Sequence, residues 1–424
     1  MKRSKPSSTQ PAPGAFESET GFPILPDSED ALSSAFVPVT TPPPPSPPRA
    51  WAEIDLSALR HNLGVARQFG GPGIMAVLKA GAYGHGLEPL ARALDGEGLA
   101  FFGVANVGEA RRLSDAGIRT PVYLLGPTLA EERDEAVARG WTPCLSTIEE
   151  ASHFDRLAQR RDVRVTGHLT IDTGMGRGGF LPEKAAAALD EIRTLPAIRL
   201  GGIGSHLPSA DEDPEFTQHQ FETFDGLVSA LFPGLCPEAA PASGGNESRR
   251  SPHAFHIHLA NSAGMLGYVS RTANLVRPGL MLYGASPLPE HQGRLRAVMT
   301  LKSRVSVIRE LPAGHGVSYG RTFITTRPTR VATIGIGYGD GYPRHLSNNR
   351  PEVVIRDRRV PIIGRVTMDQ VMADVTDLPD CRAGDEVELF GPRLPVREIA
   401  EKAGTIPWEI FTLITPRVTR IYRD

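Results

Sequence analysis

Short runs of β-type residues alternate with amphipathic segments between residues 74 and 283, and this alternation constrains the fold more than any other feature of the sequence. The runs are 74–78, 101–105, 121–125, 141–145, 163–171, 198–204, 255–260 and 273–283. Apolar residues between them recur at helical spacing. Eight strands separated by helices over about 210 residues are typical of a (β/α)8 TIM barrel, an α/β fold. A doubly wound sheet is the alternative, but no G-x-G-x-x-G motif follows the first strand.

Beyond about residue 290 the pattern changes to β-rich stretches joined by Gly, Pro and Asp turns. The stretches are 298–311, 316–323, 331–337, 351–358, 360–366 and 386–390. We therefore predict a barrel over residues 51–290 and a mostly-β domain over residues 291–424. Residues 51–55 are a candidate strand of the second domain, which leaves 59–69 as a helix that leads into the barrel.

The first 50 residues differ in composition from the rest of the chain. Of the 38 prolines, 12 fall within the first 48 residues, and consecutive prolines cannot donate backbone hydrogen bonds. We predict a disordered, dispensable tail over 1–50, with a ligand for a proline-reading domain as the alternative. A second stretch rich in Pro, Gly and Ser, 233–252, predicts a surface loop.

Charge and composition exclude several classes of protein. A formal net charge of -2 argues against a nucleic-acid-binding protein. Neither a signal-peptide core nor an 18-residue apolar window occurs, so we expect a cytoplasmic protein that does not enter a membrane. The three cysteines include no C-x-x-C pair, which argues against a disulfide framework or a structural zinc site.

Lys79 ends the otherwise apolar first strand of the predicted barrel, where functional groups are expected. Burying an ammonium group is costly unless it is paired or deprotonated. A desolvated lysine has a lowered pKa and can attack a carbonyl carbon, whereas a lysine at the rim can instead pair with a carboxylate. The strand alone leaves both interpretations open. The glycine-rich residues 80–86 that follow allow a close approach to a ligand and place the Tyr83 phenol near Lys79.

Alternate histidines end the seventh strand. His256 and His258 point the same way, and an His-x-His pair on a barrel strand can bind zinc together with ligands such as His206 and Asp172. Isolated histidine pairs are more often hydrogen-bonded structural groups, so we predict no metal site.

Seven ordered blocks of the sequence resemble those of the alanine racemase family. They are LKAGAYGHG (78–86), DTGMGR (172–177), ANSA (260–263), VRPGLMLYG (276–284), VSYG (317–320), IGYGDGY (336–342) and GRVTMDQ (364–370). The resemblance covers residues 51–424 and leaves only the proline-rich segment outside. It implies a pyridoxal 5'-phosphate enzyme that interconverts L- and D-alanine and supplies D-alanine for peptidoglycan. A broader-specificity or serine racemase, or a regulatory protein that binds the same cofactor, is the alternative.

The resemblance also implies roles for individual residues. Lys79 and Tyr319 are expected as the two catalytic bases, with Tyr319 completing the site of the partner subunit in a homodimer. Expected cofactor-binding residues are Lys79, Tyr83, His168, Asn261, Ser262, Arg277, Gly279, Leu280 and Trp408. His168 should pack on the cofactor ring, with His258 behind Arg277, while Met368 and Tyr338 should contact the substrate.

Three departures from the family pattern affect the expected site. Gly81 replaces the usual asparagine, and Trp408 stands where a phosphate-binding tyrosine is usual. Residues 141–151 contain no arginine, although the resemblance implies one there that helps to hold the substrate carboxylate. The breadth of substrates accepted is therefore left open by the sequence.

Overall fold

A computed structural model describes residues 47–69, 73–234, 255–347 and 349–424 of the chain. Most of the predicted tail and of the predicted loop at 233–252 lies outside these residues, as does Cys236. Within the described part, Cys144 and Cys381 are buried free thiols. No helix in this part is both long and apolar enough to cross a membrane.

The predicted barrel is confirmed as an eight-stranded parallel sheet in the order β8-β7-β6-β5-β4-β3-β2-β9. Its strands are β2 (Gly73–Val77), β3 (Phe101–Val104), β4 (Val122–Leu124), β5 (Thr142–Leu145), β6 (Val165–Thr170), β7 (Ile198–Gly204), β8 (His256–His258) and β9 (Leu275–Val276). The apolar residues of these strands are almost all buried, as expected for strands that are covered on both faces.

A side chain completes the sheet between its two end strands, β8 and β9. Asn274 accepts a hydrogen bond from the Ile257 N–H at 2.9 Å and donates its own amide hydrogens to the Phe255 carbonyl at 2.9 Å. The Asn274 backbone N–H also bonds the Ile257 carbonyl at 3.0 Å. The asparagine thus supplies the hydrogen bonds that a longer β9 would have made.

Helices lead into the barrel and connect its strands. They are α1 (Leu56–Phe69), which precedes the first barrel strand, and α3 (Leu87–Leu94), α4 (Val107–Asp115), α5 (Arg133–Arg139), α6 (Ile148–Arg160), α7 (Ala185–Arg193), α8 (Pro214–Leu231) and α9 (Ser262–Gly267). The short segment α2 (Lys79–Tyr83) is a turn with positive φ angles rather than a regular helix. In α4, Val107, Ala110 and Leu113 form the buried face. The Asn106 side chain caps this helix by accepting the Glu109 N–H, which fixes where the chain leaves β3.

The second sheet is mainly antiparallel, in the order β13-β16-β15-β14-β17-β10-β1-β18. Its strands are β1 (Ala50–Asp55), β10 (Met299–Leu311), β13 (Thr329–Ile334), β14 (Glu352–Ile355), β15 (Arg358–Ile363), β16 (Val371–Asp374), β17 (Glu386–Phe390) and β18 (Thr419–Arg423), beside the short hairpin β11 (Gly316–Val317) and β12 (Phe323–Ile324). β1 pairs antiparallel with β10 and parallel with β18. The predicted mostly-β architecture is confirmed, and β13 closes the sheet by pairing with β10.

Several elements differ from the sequence prediction. The predicted eighth barrel run, 273–283, contains only the two residues of β9, because Pro278 and Gly279 end the strand and a 3-10 helix follows at Leu280–Tyr283. The predictions also lacked β16, β18, and two helices in the β domain, α10 (Val396–Ala403) and α11 (Pro407–Leu413). These four elements are only four to eight residues long, so they contain too few periods for a clear pattern.

Candidate active site

A cavity opens at the carboxyl ends of the barrel strands, where the fold places functional groups. Most of the predicted cofactor-binding residues line it, together with His258. These are Lys79, Tyr83, Asn261, Ser262, Arg277, Gly279, Leu280 and Trp408. The structure therefore brings together side chains from both ends of the barrel sequence and from α11 of the second domain.

Lys79 is half-buried at the cavity wall and begins a left-handed turn. Ala80, Gly81 and Ala82 have φ values of 54°, 63° and 56°. Burial lowers the pKa of the Lys79 ammonium, and the positive charges of Arg177 and Arg277 lower it further. A lysine in this environment has a larger share of free amine near neutral pH, which is the nucleophilic form.

The second domain holds the end of this turn in place. Arg420, on β18, donates through Nε and Nη2 to the Gly84 carbonyl at 3.1 and 3.0 Å. The Tyr422 hydroxyl donates to the His85 carbonyl at 3.1 Å. Gly84 also lies against α11, since a Cβ atom on it would approach the Phe411 carbonyl oxygen to 2.3 Å. Both domains are therefore needed to position the segment that carries Lys79.

Arg277 lies on the other side of the cavity and is almost completely buried. Its guanidinium donates to His258 Nδ1 at 2.5 Å, to His206 Nδ1 at 3.0 Å, and to the Ser205 carbonyl at 2.6 Å. None of these partners is a carboxylate. Burial accordingly lowers the pKa of Arg277 to about 10, which leaves it a cation at neutral pH.

The hydrogen bond from Arg277 determines which ring nitrogen carries the hydrogen in the histidines behind it. Because His258 Nδ1 accepts from Arg277, its Nε2 must carry the hydrogen that bonds His168 Nδ1 at 2.9 Å. Burial holds the pKa of both histidines well below the usual range, so both are neutral. His168 is fully buried behind His258, between Phe101 and Tyr123, and does not line the cavity as a ring-contacting residue would.

A polar corner suited to an anion lies near Tyr83. The Ser262 Oγ accepts from the Gly279 N–H at 2.9 Å, and a Cβ atom on Gly279 would lie only 2.6 Å from the Tyr83 hydroxyl. The 3-10 helix that follows Gly279 begins at Leu280, and the first N–H groups of a helix have no partners within it. The Tyr83 and Ser262 hydroxyl groups therefore lie together at the start of this helix, where they can bind a phosphate group, while the Gly279 and Met281 N–H groups donate to Ser262 Oγ.

Asn261 and Trp408 both line the cavity wall. The Asn261 carboxamide caps α9 by accepting the Gly264 N–H and donates to the Leu207 carbonyl, so protein groups already bind both of its ends. Trp408 lies on α11 and separates the cavity from a side pocket that Lys79 and Tyr83 also line.

Three predicted residues lie away from the cavity, on the surface of the second domain. Tyr319, Met368 and Tyr338 are 73%, 51% and 40% exposed, which is unusual for side chains of their size. They are neighbours: the Thr367 carbonyl accepts the Tyr338 N–H, and Thr367 also lines the shallow hollow beside Tyr319. Ser318, in a left-handed conformation with a φ of 63°, presents Tyr319 to solvent.

Sequence reasoning missed the role of Arg177, which belongs to the recognised block 172–177. The loop that carries it folds around Asp172, whose carboxylate accepts backbone N–H groups from Gly174, Met175 and Gly176. This places Arg177 at the cavity. The loop after β6 thus brings an arginine to the cavity, whereas residues 141–151 contain none. The alternative zinc site has no support in the described residues, where no three His, Cys, Asp or Glu side chains are grouped as metal ligands.

The donor set fits a phosphorylated carbonyl cofactor. Lys79 offers an amine that can form a covalent bond with a carbonyl carbon, and the corner at Tyr83, Ser262 and Gly279 offers hydrogen bonds to a phosphate. Arg277 adds a fixed cation to the same cavity. Groups of this kind can hold a negatively charged ring compound in a single orientation.

Comparison with known proteins agrees with this geometry. Residues 54–287 match the family model for the alanine racemase N-terminal domain, and residues 298–422 match that for the alanine racemase C-terminal domain. An alanine racemase of Syntrophobacter fumaroxidans is 41% identical over 374 residues, which cover 86% of this chain and 95% of the relative. An alanine racemase structure from Clostridium difficile 630 has a TM-score of 0.79 at 32% identity and covers 89% of this chain and 97% of its own. A structure of the Bartonella henselae alanine racemase with covalently bound pyridoxal phosphate has a TM-score of 0.77 at 31% identity, over 89% of this chain and 100% of its own.

Proposed function

The chain belongs to the alanine racemase family of pyridoxal-phosphate-dependent isomerases, and we propose that it interconverts L- and D-alanine with Lys79 and Tyr319 as its two bases. The observation that carries this proposal is the position of Lys79. Its amine lies at the cavity with a lowered pKa, across from a buried cation and beside a corner of phosphate-binding donors.

Different residues at the cavity are assigned to different parts of the cofactor. When bound, pyridoxal 5'-phosphate supplies an electron sink that makes the α-hydrogen of an attached amino acid acidic. Lys79 would hold the cofactor, and the corner at Tyr83, Ser262 and Gly279 would hold its phosphate. As a buried cation, Arg277 would disfavour a proton on the ring nitrogen and so limit the reaction to proton exchange.

Racemisation requires one group that removes the α-proton and another that returns a proton on the opposite face. Lys79 provides one of these groups. Among the described barrel residues at the cavity, burial lowers the pKa of His206 to about 3 and raises that of the Tyr83 phenol, so neither is suited to exchange a proton near neutral pH. Tyr319 supplies the other proton, and its exposure on the second domain supports delivery into the site of a partner subunit.

Arg177 is the group that we assign to the substrate carboxylate. It lies at the cavity and affects the pKa of Lys79, so its charge is close to the reacting centre. Tyr338 and Met368 approach the same substrate from the partner subunit beside Tyr319.

Replacing Lys79 with alanine tests the proposal. The purified wild-type protein should absorb near 420 nm, about the usual band of lysine-bound pyridoxal phosphate, and should exchange the α-proton of L-alanine in heavy water. We expect Lys79→Ala to lose both properties while retaining its circular dichroism spectrum. A wild-type protein that neither absorbs nor exchanges would contradict the proposal, and a faster reaction with serine than with alanine would contradict the assigned substrate.

A further inference from the structure

A buried carboxylate lies directly behind the Lys79 turn and takes no part in the mechanism described above. Glu109 is the third residue of α4 and is only 8% exposed. Its Oε1 accepts the Gly81 N–H at 3.0 Å, and its Oε2 accepts the Ala105 N–H at 2.9 Å. One side chain thus connects the turn after β2 to the residue that follows β3.

The turn needs such an external partner. Left-handed backbone is unfavourable for residues with a Cβ atom, and both Ala80 and Ala82 adopt it. Lys79 immediately precedes these residues, so loss of the left-handed conformation would move the lysine side chain. The Gly81 amide, in the middle of the turn, is the point that Glu109 holds.

From these contacts we propose that Glu109 is a positioning residue for Lys79, which clamps the left-handed turn to the end of β3. The inference rests on the function proposed for Lys79. It concerns a residue that does not itself touch the cavity, since Glu109 is absent from the cavity wall formed by the described residues.

The charge of Glu109 has a second effect on Lys79. Burial lowers the pKa of Lys79, the charges of Arg177 and Arg277 lower it further, and the Glu109 carboxylate raises it. Other titratable groups also line the cavity or the side pocket with Lys79, namely Tyr83, Tyr123, Cys144, Asp172, His206, Asp211, His258 and Glu409. Burial holds the pKa of His206 low and that of Tyr83 high, so both stay neutral near neutral pH. Glu109 is the carboxylate whose charge raises the pKa of Lys79 against the two arginines.

The barrel contains a matched control. Glu150 is the third residue of α6 and is 3% exposed. Its carboxylate accepts the Ser146 N–H after β5 at 3.0 Å and the Thr128 N–H after β4 at 3.2 Å. The architecture is the same as for Glu109, but neither Thr128 nor Ser146 is followed by a left-handed turn or a lysine.

The experiment compares Glu109→Gln, Glu109→Asp and Glu150→Gln as full-length, cofactor-loaded enzymes. We expect amide hydrogen exchange in residues 79–86 to rise about tenfold in both Glu109 variants, because a charge-assisted hydrogen bond is lost. The limb of the kcat–pH profile that reports the Lys79 amine should move to lower pH in Glu109→Gln alone, because Glu109→Asp keeps the charge. Glu150→Gln should match the wild type in both measurements.

Two results would contradict the proposal that Glu109 positions Lys79. One is a rate of amide hydrogen exchange over residues 79–86 that equals the wild-type rate in both Glu109 variants. The other is a rise of that rate in Glu150→Gln as large as the rise in the Glu109 variants. If Glu109→Gln does not fold, the rate of amide hydrogen exchange over residues 79–86 in Glu109→Asp decides between these outcomes. A failure of the function proposed for Lys79 would give a different result, because the Lys79→Ala variant would then still absorb visible light.

Discussion

At the scale of single residues, the cavity contains three cations that form no ion pair with a carboxylate of the described residues, although Asp211 also lines it. Lys79, Arg177 and Arg277 all face it. The carboxylate of Asp172 is bound by backbone N–H groups, so it neutralises none of them directly. A site of this kind attracts an anionic cofactor and an anionic substrate before any chemistry begins.

Arg177 gives a direct test of this view. Arg177→Gln removes a charge-assisted contact to the substrate carboxylate worth about 1.5–3 kcal/mol, so kcat/KM for alanine should fall about 10- to 100-fold. Visible absorbance should remain, because other residues hold the cofactor. Arg164 is a suitable control: it is exposed and precedes β6, at the opposite end from Arg177. Arg164→Gln should retain full kcat/KM, and an unchanged kcat/KM in Arg177→Gln would exclude a role in carboxylate binding.

His85 makes stability depend on pH. The ring is fully buried, and burial lowers the pKa of His85 to about 4. Between pH 6.5 and 4 the unfolded chain binds a proton that the folded chain does not, so the free energy of unfolding falls as the pH falls through this range. The contribution of His85 to this loss at pH 5 is about 2 kcal/mol.

His85→Asn should reduce that dependence, because the amide does not titrate yet can still donate to the Tyr83 carbonyl as Nδ1 does. Urea unfolding at pH 7 and pH 5 measures the difference. We expect it to shrink by about 2 kcal/mol in His85→Asn and to stay unchanged in His219→Asn, at an exposed position of α8. An unchanged difference in His85→Asn would mean that His85 is already protonated in the folded protein.

The sequence predicted these residues unequally. Lys79, Tyr83 and Arg277 follow from motifs, since their neighbours in sequence are also their neighbours at the cavity. The position of Arg177 at the cavity was missed. Arg177 lies in a loop whose shape depends on hydrogen bonds from the Gly174, Met175 and Gly176 N–H groups to the Asp172 carboxylate. The buried position of His168 depends on rings from other strands, which no local pattern reports.

At the scale of elements, the left-handed turn after Lys79 stores backbone strain. Ala80 is exposed with a φ of 54°, so its methyl group gains little packing to compensate. Ala80→Gly should therefore raise the free energy of unfolding by up to about 1 kcal/mol.

An alanine in an ordinary helix should respond in the opposite direction. Ala187 is exposed within α7, and Ala187→Gly should lower the free energy of unfolding by about 1 kcal/mol. Chemical denaturation of both variants measures the contrast. A loss of stability in Ala80→Gly equal to that in Ala187→Gly would show that the turn is not strained.

Barrel strands such as β2 and β3 were predictable because each is a short apolar run that is almost completely buried. The exception is β9, where hydrogen bonds from the Asn274 side chain replace strand pairing, a tertiary arrangement without a sequence signal. Helices α10 and α11 were missed because each has only about two turns, too few for a helical repeat of apolar residues to stand out. The β-rich sequence around them also favoured a prediction of strands.

At the scale of the whole molecule, the two proposed bases lie on different surfaces of the chain. Lys79 lines the barrel cavity, and Tyr319 is 73% exposed on the second domain. A site shared between subunits predicts complementation. Lys79→Ala and Tyr319→Phe should each be inactive, but a mixed dimer has one site with both residues intact. Random reassociation of equal amounts should recover about a quarter of wild-type activity, since half of the dimers carry one intact site.

Refolding or co-expression of the two variants, followed by an assay of alanine racemisation, provides the measurement. Each variant mixed with itself is the control. Activity no greater than the sum of the separate variants would show that Tyr319 acts within its own chain.

The pairing of β1 with β18 has a consequence for synthesis on the ribosome. β1 is made before any barrel strand, whereas β18 is made after all eight of them. The nascent barrel can therefore assemble while β1 still lacks its β18 partner. Arg420 and Tyr422 arrive with that same strand and hold the turn after Lys79. The turn that follows Lys79 thus receives this support only after every strand of the barrel has been made.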